Sequence, residues 1–198
     1  MSASRTAILA RLRAAAHPAP APVAPWRPAI TDLSGTFVTR LEGVFGTSET
    51  LQSPAEIPAA VTRYLTAHGL PLQAAVTPEF AALDWQKAGI SRLPAPAKAS
   101  VSTAIARAEA ASAETGTLLL SSRDTAGPWP NLLADTYIAI LEKASISASF
   151  EDAVTRRAGN SLPRSLHAVT GPSRTGDIEQ TLELGAHGAV RVHVLLLP

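Results

Sequence analysis

Short apolar runs alternate with helix-like patterns along most of this chain, and this alternation constrains the fold more than any other feature. Leu72–Thr77, Thr117–Ser121 and Arg191–Leu197 are predicted to be buried strands, and segments between them carry apolar residues at helical spacing. Buried strands that alternate with helices are typical of an open sheet covered by helices. The sequence therefore predicts an α/β fold with a largely parallel, Rossmann-like central sheet.

Local signals place the other elements. Asp32 can cap a helix that ends before Gly46, and Ser53-Pro-Ala-Glu56 is a capping box with proline at the first helical position. Pro58 lacks an N–H group, so the first turn of that helix is expected nearer residue 58. The remaining predictions are an alanine-rich helix at Ala104–Ala113, strands at Tyr137–Leu141, Ile146–Phe150 and Leu166–Thr170, a helix over 151–158, and a short helix from Thr175 that stops at Gly185.

The chain is expected to form one domain with an N-terminal arm. At 198 residues it is long enough to bury a substantial core. A first helix carries Ile8 and Leu12 on one apolar stripe, and a proline-rich spacer follows it. We predict that residues 1–25 form this helix and arm and that residues 26–198 form the domain. We expect the stripe to pack on another chain; the alternative is that it covers the domain itself.

Composition excludes several classes of function. The 17 basic residues balance 16 acidic ones, which argues against a nucleic-acid surface. The absence of cysteine excludes thiolate zinc and iron–sulfur ligation within this chain, and the histidines lack metal-ligand spacing. No apolar run reaches the ~18–20 residues of a membrane span. Residues 1–31 carry arginines and no acid, as transit peptides do, but a cytoplasmic protein is the preferred expectation.

The polar segment Gly171-Pro-Ser-Arg-Thr-Gly-Asp-Ile-Glu179 lies between a predicted strand and a predicted helix. If Thr175 caps that helix, its free N–H groups and the Arg174 guanidinium would suit a phosphate or a carboxylate. Asp177 and Glu179 would oppose an anion there. The alternative is therefore a well-capped helix with an Asp177–Arg174 pair and no ligand.

Two further clusters flank predicted elements. In Ala113-Glu-Thr-Gly-Thr117, the Glu114 carboxylate could act as a base or, when desolvated, as a nucleophile. The alternative is a solvated side chain at the end of a helix. In Gly185-Ala-His-Gly188, His187 could orient a substrate or transfer a proton, or could simply bond to the backbone of its turn. We expect the three clusters to converge on one polar pocket at the carboxyl edge of the sheet.

Taken together, the three motifs resemble the LUD domain of the lactate utilization protein C (LutC) family, in order and spacing from about residue 70 to the C terminus. The resemblance implies a fold similar to the NagB/RpiA/CoA-transferase group. One departure is Tyr137, at a position where the family often has histidine. The matched positions are Glu114, Thr115, Gly116, Gly171, Ser173, Arg174, Thr175, Asp177, Glu179, His187 and Gly188.

The resemblance also implies a function. It points to an accessory subunit of a complex that oxidises L-lactate to pyruvate, with the iron–sulfur clusters on partner proteins and no cofactor or metal in this chain. Glu114 and His187 are the catalytic candidates. The residues expected to hold a small carboxylate or phosphate are Thr115, Gly116, Thr117, Gly171, Ser173, Arg174, Thr175, Asp177 and Gly188.

Two alternatives stay open. One is a stand-alone enzyme of the CoA-transferase or hydrolase type that uses Glu114 as its nucleophile, which rests on an analogy of fold. The other is a binding module in which the pocket is vestigial and the N-terminal helix is the working part.

Overall fold

The computed structural model describes residues 3–15, 26–95, 100–121, 129–158, 163–176, 182–184 and 188–198. The strands are β1 (Thr47–Thr50), β2 (Gln73–Val76), β3 (Ser91–Leu93), β4 (Val101–Arg107), β5 (Ala110–Ser112), β6 (Thr117–Ser121), β7 (Ala134–Glu142), β8 (Ile146–Ser147), β9 (Leu166–Val169), β10 (Arg174–Gly176), β11 (Leu182–Leu184) and β12 (Arg191–Leu197). The α-helices are α1 (Ala3–Ala14), α2 (Leu33–Gly43), α3 (Ile57–Ala67), α4 (Trp129–Leu133) and α5 (Phe150–Ala158), and single 3₁₀ turns cover Pro54–Glu56, Pro78–Phe80 and Lys143–Ser145.

A six-stranded parallel sheet forms the centre of the molecule, with strand order β1-β12-β7-β4-β2-β3. Both of its faces are buried. Tyr137 and Val192 pack with Phe37 of α2 on one face, whereas Ile138 packs with Val61 of α3 on the other. The apolar, unalternating sequences of β7 and β12 follow from this double burial. The prediction of an open, mostly parallel sheet flanked by helices is confirmed.

A smaller, mixed sheet covers the α2 side of the central sheet, with strand order β8-β5-β6-β9. Side chains of β6 alternate between its two faces. Leu118 and Leu120 join the core around α2, and Leu119 points to the opposite side, where Ala153 of α5 covers it. This sheet brings the start of β6 and the end of β9 to one edge, because the two strands are antiparallel neighbours.

Most of the predicted elements are found close to their expected bounds. Asp32 caps α2 by accepting a hydrogen bond from the backbone N–H of Gly35 at 2.9 Å. The capping box is displaced. Pro54–Glu56 forms a 3₁₀ turn, and α3 begins at Ile57, as the position of Pro58 indicates. The other confirmed elements are α1, β2, β6, β7, α5, β9 and β12, and only the first two residues of the predicted strand Ile146–Phe150 form one, as β8.

The predicted helix Ala104–Ala113 is wrong, since these residues belong to β4 and β5. Alanine favours helices by propensity, but tertiary packing overrides propensity. Ala104, Ala106 and Ala111 are fully buried between layers. The proline-rich arm lies outside the described residues, so the boundary between residues 25 and 26 stays a prediction. Within the part of the chain that the structure describes, no helix is long and apolar enough to cross a membrane.

Candidate functional site

The turn that contains Glu114 joins two antiparallel strands, β5 and β6, and does not end a helix. The N–H of Gly116 donates to the carbonyl of Ser112 at 3.0 Å, which closes the turn. Gly116 has φ 67°, and a Cβ placed there would lie 2.6 Å from the backbone nitrogen of Leu41 in α2. Glycine is required here for both reasons. The turn is therefore held directly against the backbone of α2.

The Glu114 carboxylate caps the N terminus of α5. Its Oε1 accepts a hydrogen bond from the backbone N–H of Phe150, the first residue of that helix, at 2.8 Å. Ser149 caps the same helix end by accepting from the N–H of Asp152 at 3.1 Å. A carboxylate that satisfies a free N–H at a positive helix end is stabilised as a structural cap. This engagement argues against Glu114 as a free nucleophile.

Three threonine hydroxyl groups form a row that joins the Glu114 cluster to the residue before Gly171. Thr115 Oγ1 and Thr117 Oγ1 are 2.7 Å apart, and Thr117 Oγ1 and Thr170 Oγ1 are also 2.7 Å apart. Thr117 is buried, whereas Thr115 and Thr170 are exposed. The threonine row brings the start of β6 and the residue after β9 together. Thr170 was not among the predicted site residues, although it immediately precedes Gly171.

The turn after β9 also packs on α2. Gly171 has φ 73°, and a Cβ there would lie 2.5 Å from the carbonyl oxygen of Val44. Two residues later, the N–H of Ser173 donates to the carbonyl of Ala189 at 2.8 Å. Gly188 lies beside Ser173, since an added Cβ would be 3.4 Å from the Ser173 Cβ. Gly188, the described residue of the His187 cluster, therefore lies beside the Gly171 segment.

The predicted helix beginning at Thr175 is wrong. Arg174–Gly176 forms β10, which pairs with β11 in antiparallel register, Arg174 opposite Leu184. A ladder partner takes up backbone groups that a helix N-terminus would leave free. The anion site expected from free N–H groups after Thr175 is therefore absent from the described residues of this segment, and Arg174 is its cationic group.

Arg174 stacks on an aromatic ring that the sequence did not single out. Its Cζ lies 3.6 Å from the centre of the Phe45 ring, a close cation–π contact. Phe45 is 62% exposed and lies two residues after the end of α2. The sequence signal that could have found it is an aromatic residue beside Gly46, at a helix end.

A shallow cleft lies between the second half of α2 and the turn that contains Glu114. It measures about 360 Å³ and is lined by Thr39, Arg40, Gly43, Val44, Glu114 and Thr115. The final carbonyl groups of α2 carry partial negative charge, so an anion in this cleft needs cations nearby. Arg40 lines the cleft, and Arg174 lies against Phe45 just beyond Val44.

This polar surface lies at the amino end of the parallel sheet. Gly188 precedes β12, and Phe45 precedes β1. Glu114 and Thr170 do follow strands, β5 and β9, but these strands belong to the smaller sheet. The expected position at the carboxyl edge of the central sheet is therefore wrong, because Gly188 lies at the start of the central strand β12 and not at its end. The structure brings Thr115, Thr117, Gly171, Ser173 and Gly188 to one side of the molecule, around α2.

A second polar group lies on the opposite face of the central sheet. His193 Nδ1 is 2.8 Å from Thr47 Oγ1, and the His193 ring stacks on Tyr64 with 4.1 Å between centroids. Burial lowers the pKa of His193 to about 4 and raises the pKa of Tyr64. His193 Nε2 is buried without a hydrogen-bond partner among the described residues. A neutral, stacked imidazole of this kind is a core group.

Three residues of the predicted clusters cannot be placed. Asp177, Glu179 and His187 lie outside the described residues, and the Thr175 side chain is likewise not described. Tyr137, which departs from the resembled family, is fully buried in β7 and does not reach the polar surface of the described residues. Across the described ranges, no group of three or more histidine, aspartate or glutamate side chains could hold a metal ion.

A sequence model of the family described as LUD domain matches residues 66–197. The solved structure of a DUF162 family protein from Deinococcus radiodurans superposes with a TM-score of 0.61. That alignment covers 84% of this chain and 96% of the other, at 20% identity, and it shows the fold alone.

Several curated relatives are named lactate utilization protein C. The protein of Bacillus subtilis (strain 168) is 37% identical over 90 residues, which cover 43% of this chain and 38% of the relative. That of Geobacillus thermodenitrificans (strain NG80-2) is 34% identical over 98 residues, or 47% of this chain and 41% of the relative. The chain thus matches only about two fifths of the length of these relatives.

Proposed function

Because this chain belongs to the LUD domain family, we propose that it is an accessory subunit of a cytoplasmic complex that oxidises L-lactate to pyruvate. The names of its relatives support a role in lactate utilization. The chain has no cysteine, so iron–sulfur clusters that carry the two electrons would be held by partner subunits. This chain would then contribute a site for the small carboxylate that the complex consumes or releases.

The observation that carries this proposal is that the Glu114 turn and the turn after β9 come together on the side of α2 where Arg174 lies. The threonine row joins Thr117 to Thr170, and Arg174 is presented on the same side of α2. Arg174 has no ion-pair partner among the described residues. A guanidinium can bind a carboxylate through two parallel hydrogen bonds, and a neighbouring hydroxyl group can donate a further one.

The site residues have different roles on this proposal. Arg174 would bind the carboxylate of lactate or pyruvate, and the exposed hydroxyls of Thr115 and Thr170 would bind its second polar group. His187 is the remaining candidate to hold or move a proton, because the Glu114 carboxylate is engaged by the N–H of Phe150.

Calorimetric titration with L-lactate and with pyruvate tests the site. Replacing Arg174 with alanine is expected to weaken binding by about tenfold or more, as loss of a charge-assisted pair does. Arg174→Lys should recover only part of the affinity, because an ammonium group lacks the planar fork. Arg92→Ala is the matched control, since Arg92 lies on β3 at the opposite edge of the central sheet. Equal binding by the wild type and Arg174→Ala would contradict the site.

A second experiment tests the complex. The tagged chain, expressed with the neighbouring genes of its own genome, should co-purify with iron–sulfur proteins, and the purified assembly should oxidise L-lactate. If the chain purifies alone and instead forms a mass adduct on Glu114 with acyl-CoA, the transferase alternative replaces the proposal.

A further inference from the structure

The last turn of α2 closes in a Schellman motif, a common way to end a helix. The N–H of Gly46 donates to the carbonyl of Leu41 at 2.9 Å, and the N–H of Phe45 donates to the carbonyl of Glu42 at 2.9 Å. In this motif the residue donating the second bond adopts a left-handed backbone, so it is usually glycine. Here that residue is Phe45, with φ 67°.

Phe45 is an unfavourable residue for this position. A side chain at positive φ clashes with its own backbone, and bulky residues are uncommon there. Burial does not compensate, because the side chain is 62% exposed. Phe45 is moreover the only non-glycine residue with positive φ in the described part of the chain. Backbone strain of this kind is typical of sites where a side chain must point in a particular direction.

The strained backbone directs the Phe45 ring to Arg174. The guanidinium carbon lies 3.6 Å from the ring centre, which is direct contact. The two segments are also fixed relative to each other. Gly171, three residues before Arg174, packs against the carbonyl of Val44, one residue before Phe45, and has no room for a Cβ. The ring and the guanidinium are therefore held together from both sides.

We infer that Phe45 is a positioning residue that holds Arg174 for recognition of a small 2-hydroxy or 2-oxo carboxylate. Stacking occupies one face of the guanidinium and leaves its in-plane N–H groups free for a carboxylate. An exposed arginine side chain otherwise samples many rotamers, and ordering it on binding lowers affinity. This inference names the ligand class of the proposed site and rests on the proposed function.

The positioning itself is measured without any ligand. In wild-type protein, the Arg174 side-chain protons should show an upfield ring-current shift and restricted motion by NMR. Phe45→Leu keeps the backbone strain and the apolar bulk but removes the ring, so both signatures should disappear. Phe45→Tyr should retain them. Unchanged Arg174 order in Phe45→Leu would overturn the inference.

Phe45→Gly separates function from stability. Removing the strain should raise the melting temperature by about 2–4 °C, the shift that follows from relief of one strained residue in a chain of this size. The same change should weaken L-lactate or pyruvate binding by about twofold to fivefold, the range expected for loss of an exposed cation–π contact. A variant that is both more stable and equally tight in binding would contradict a positioning role.

The two proposals can fail separately. If the wild type binds neither L-lactate nor pyruvate while Arg174 is ordered by the Phe45 ring, the proposed ligand class is wrong and the positioning of Arg174 stands. If the wild type binds either acid and Phe45→Leu binds it equally well, the proposed function stands and the inference about Phe45 is wrong.

Discussion

Burial of His193 makes the folded state sensitive to acid. The side chain is 4% exposed, and burial, helped by nearby His68, lowers its pKa from 6.5 to about 4. Between these values the unfolded chain binds more protons than the folded one, so stability falls as the pH decreases. The stability contributed by the neutral imidazole is fully present above pH 6.5 and is lost towards pH 4.

We predict a loss on the order of 3 kcal/mol in the free energy of unfolding across this window. Urea denaturation at about pH 7 and about pH 4.5 measures it. His193→Gln should show a much flatter dependence, and His167→Gln, at a half-buried position on β9, is the matched control. A wild-type slope in His193→Gln would show that other groups cause the acid sensitivity.

The capping role of Glu114 can be tested by removing one hydrogen bond. Because its carboxylate accepts from the N–H of Phe150, Glu114→Ala should lower the free energy of unfolding by about 0.5–2 kcal/mol, as loss of a helix cap does. Glu114→Gln keeps an acceptor oxygen and should lose less. Asp135→Ala, at an exposed position on β7, is the matched control and should have little effect. Full stability in Glu114→Ala would instead leave the carboxylate free for chemistry.

At the scale of elements, α2 is clamped between two glycine turns. Gly116 packs on the backbone at Leu41, and Gly171 packs on Val44. Alanine at either position meets both a positive φ and a backbone clash, so we predict destabilisation of about 2–4 kcal/mol for each.

Gly69→Ala is the matched control for this prediction. Gly69 also has positive φ, at 61°, but a Cβ there would meet nothing within 4 Å. Its substitution should cost only the conformational term, about 1–2 kcal/mol. Thermal unfolding of the three variants compares them. Equal effects at Gly69 and Gly116 would mean that close approach to α2 contributes nothing.

Elements with strong local signals could be predicted from the sequence, and elements that depend on distant partners could not. Asp32 capped α2 as expected, and the apolar run Arg191–Leu197 is β12. By contrast, β1 is short and polar, and it exists only because β12 pairs with it. The segment after Gly171 resembles a helix start locally, but Arg174–Gly176 finds its ladder partner in β11.

The candidate site was partly predictable for the same reason. The convergence of the Glu114 and Gly171 segments was expected and is found, through Thr117 and Thr170. The contribution of Phe45 was not, since it depends on contact between residues 129 positions apart in sequence, Phe45 and Arg174. The family resemblance drawn from three short motifs is confirmed by the match over residues 66–197.

At the scale of the whole molecule, the stripe on α1 is available for contacts. Ile8 is 58% exposed and Leu12 is 63% exposed. If α1 packs on a partner subunit, the double change Ile8→Gln and Leu12→Gln should leave the melting temperature unchanged and abolish co-purification with iron–sulfur proteins. Glutamine preserves helix propensity, so loss of the helix would not confuse the result.

Arg13→Gln, on the same helix, is the control and should retain most of the co-purification. A fall of several degrees in the melting temperature of the double variant would indicate that the stripe covers its own domain. Retained co-purification would exclude α1 as the docking element. It would also contradict the binding-module alternative, in which α1 is the functional element.

The number of hydroxyl hydrogens in the threonine row fixes the direction in which its hydrogen bonds run. Three hydroxyl groups carry three hydrogens, and the two contacts within the row use two of them. Thr117 donates a hydrogen bond to one neighbour and accepts one from the other. One end of the row then has a hydroxyl hydrogen available for an outside acceptor, and the other end has only an oxygen lone pair available. A bound oxyanion at Thr170 would therefore turn Thr115 into an acceptor, so the two ends of the row respond to a ligand with opposite polarity.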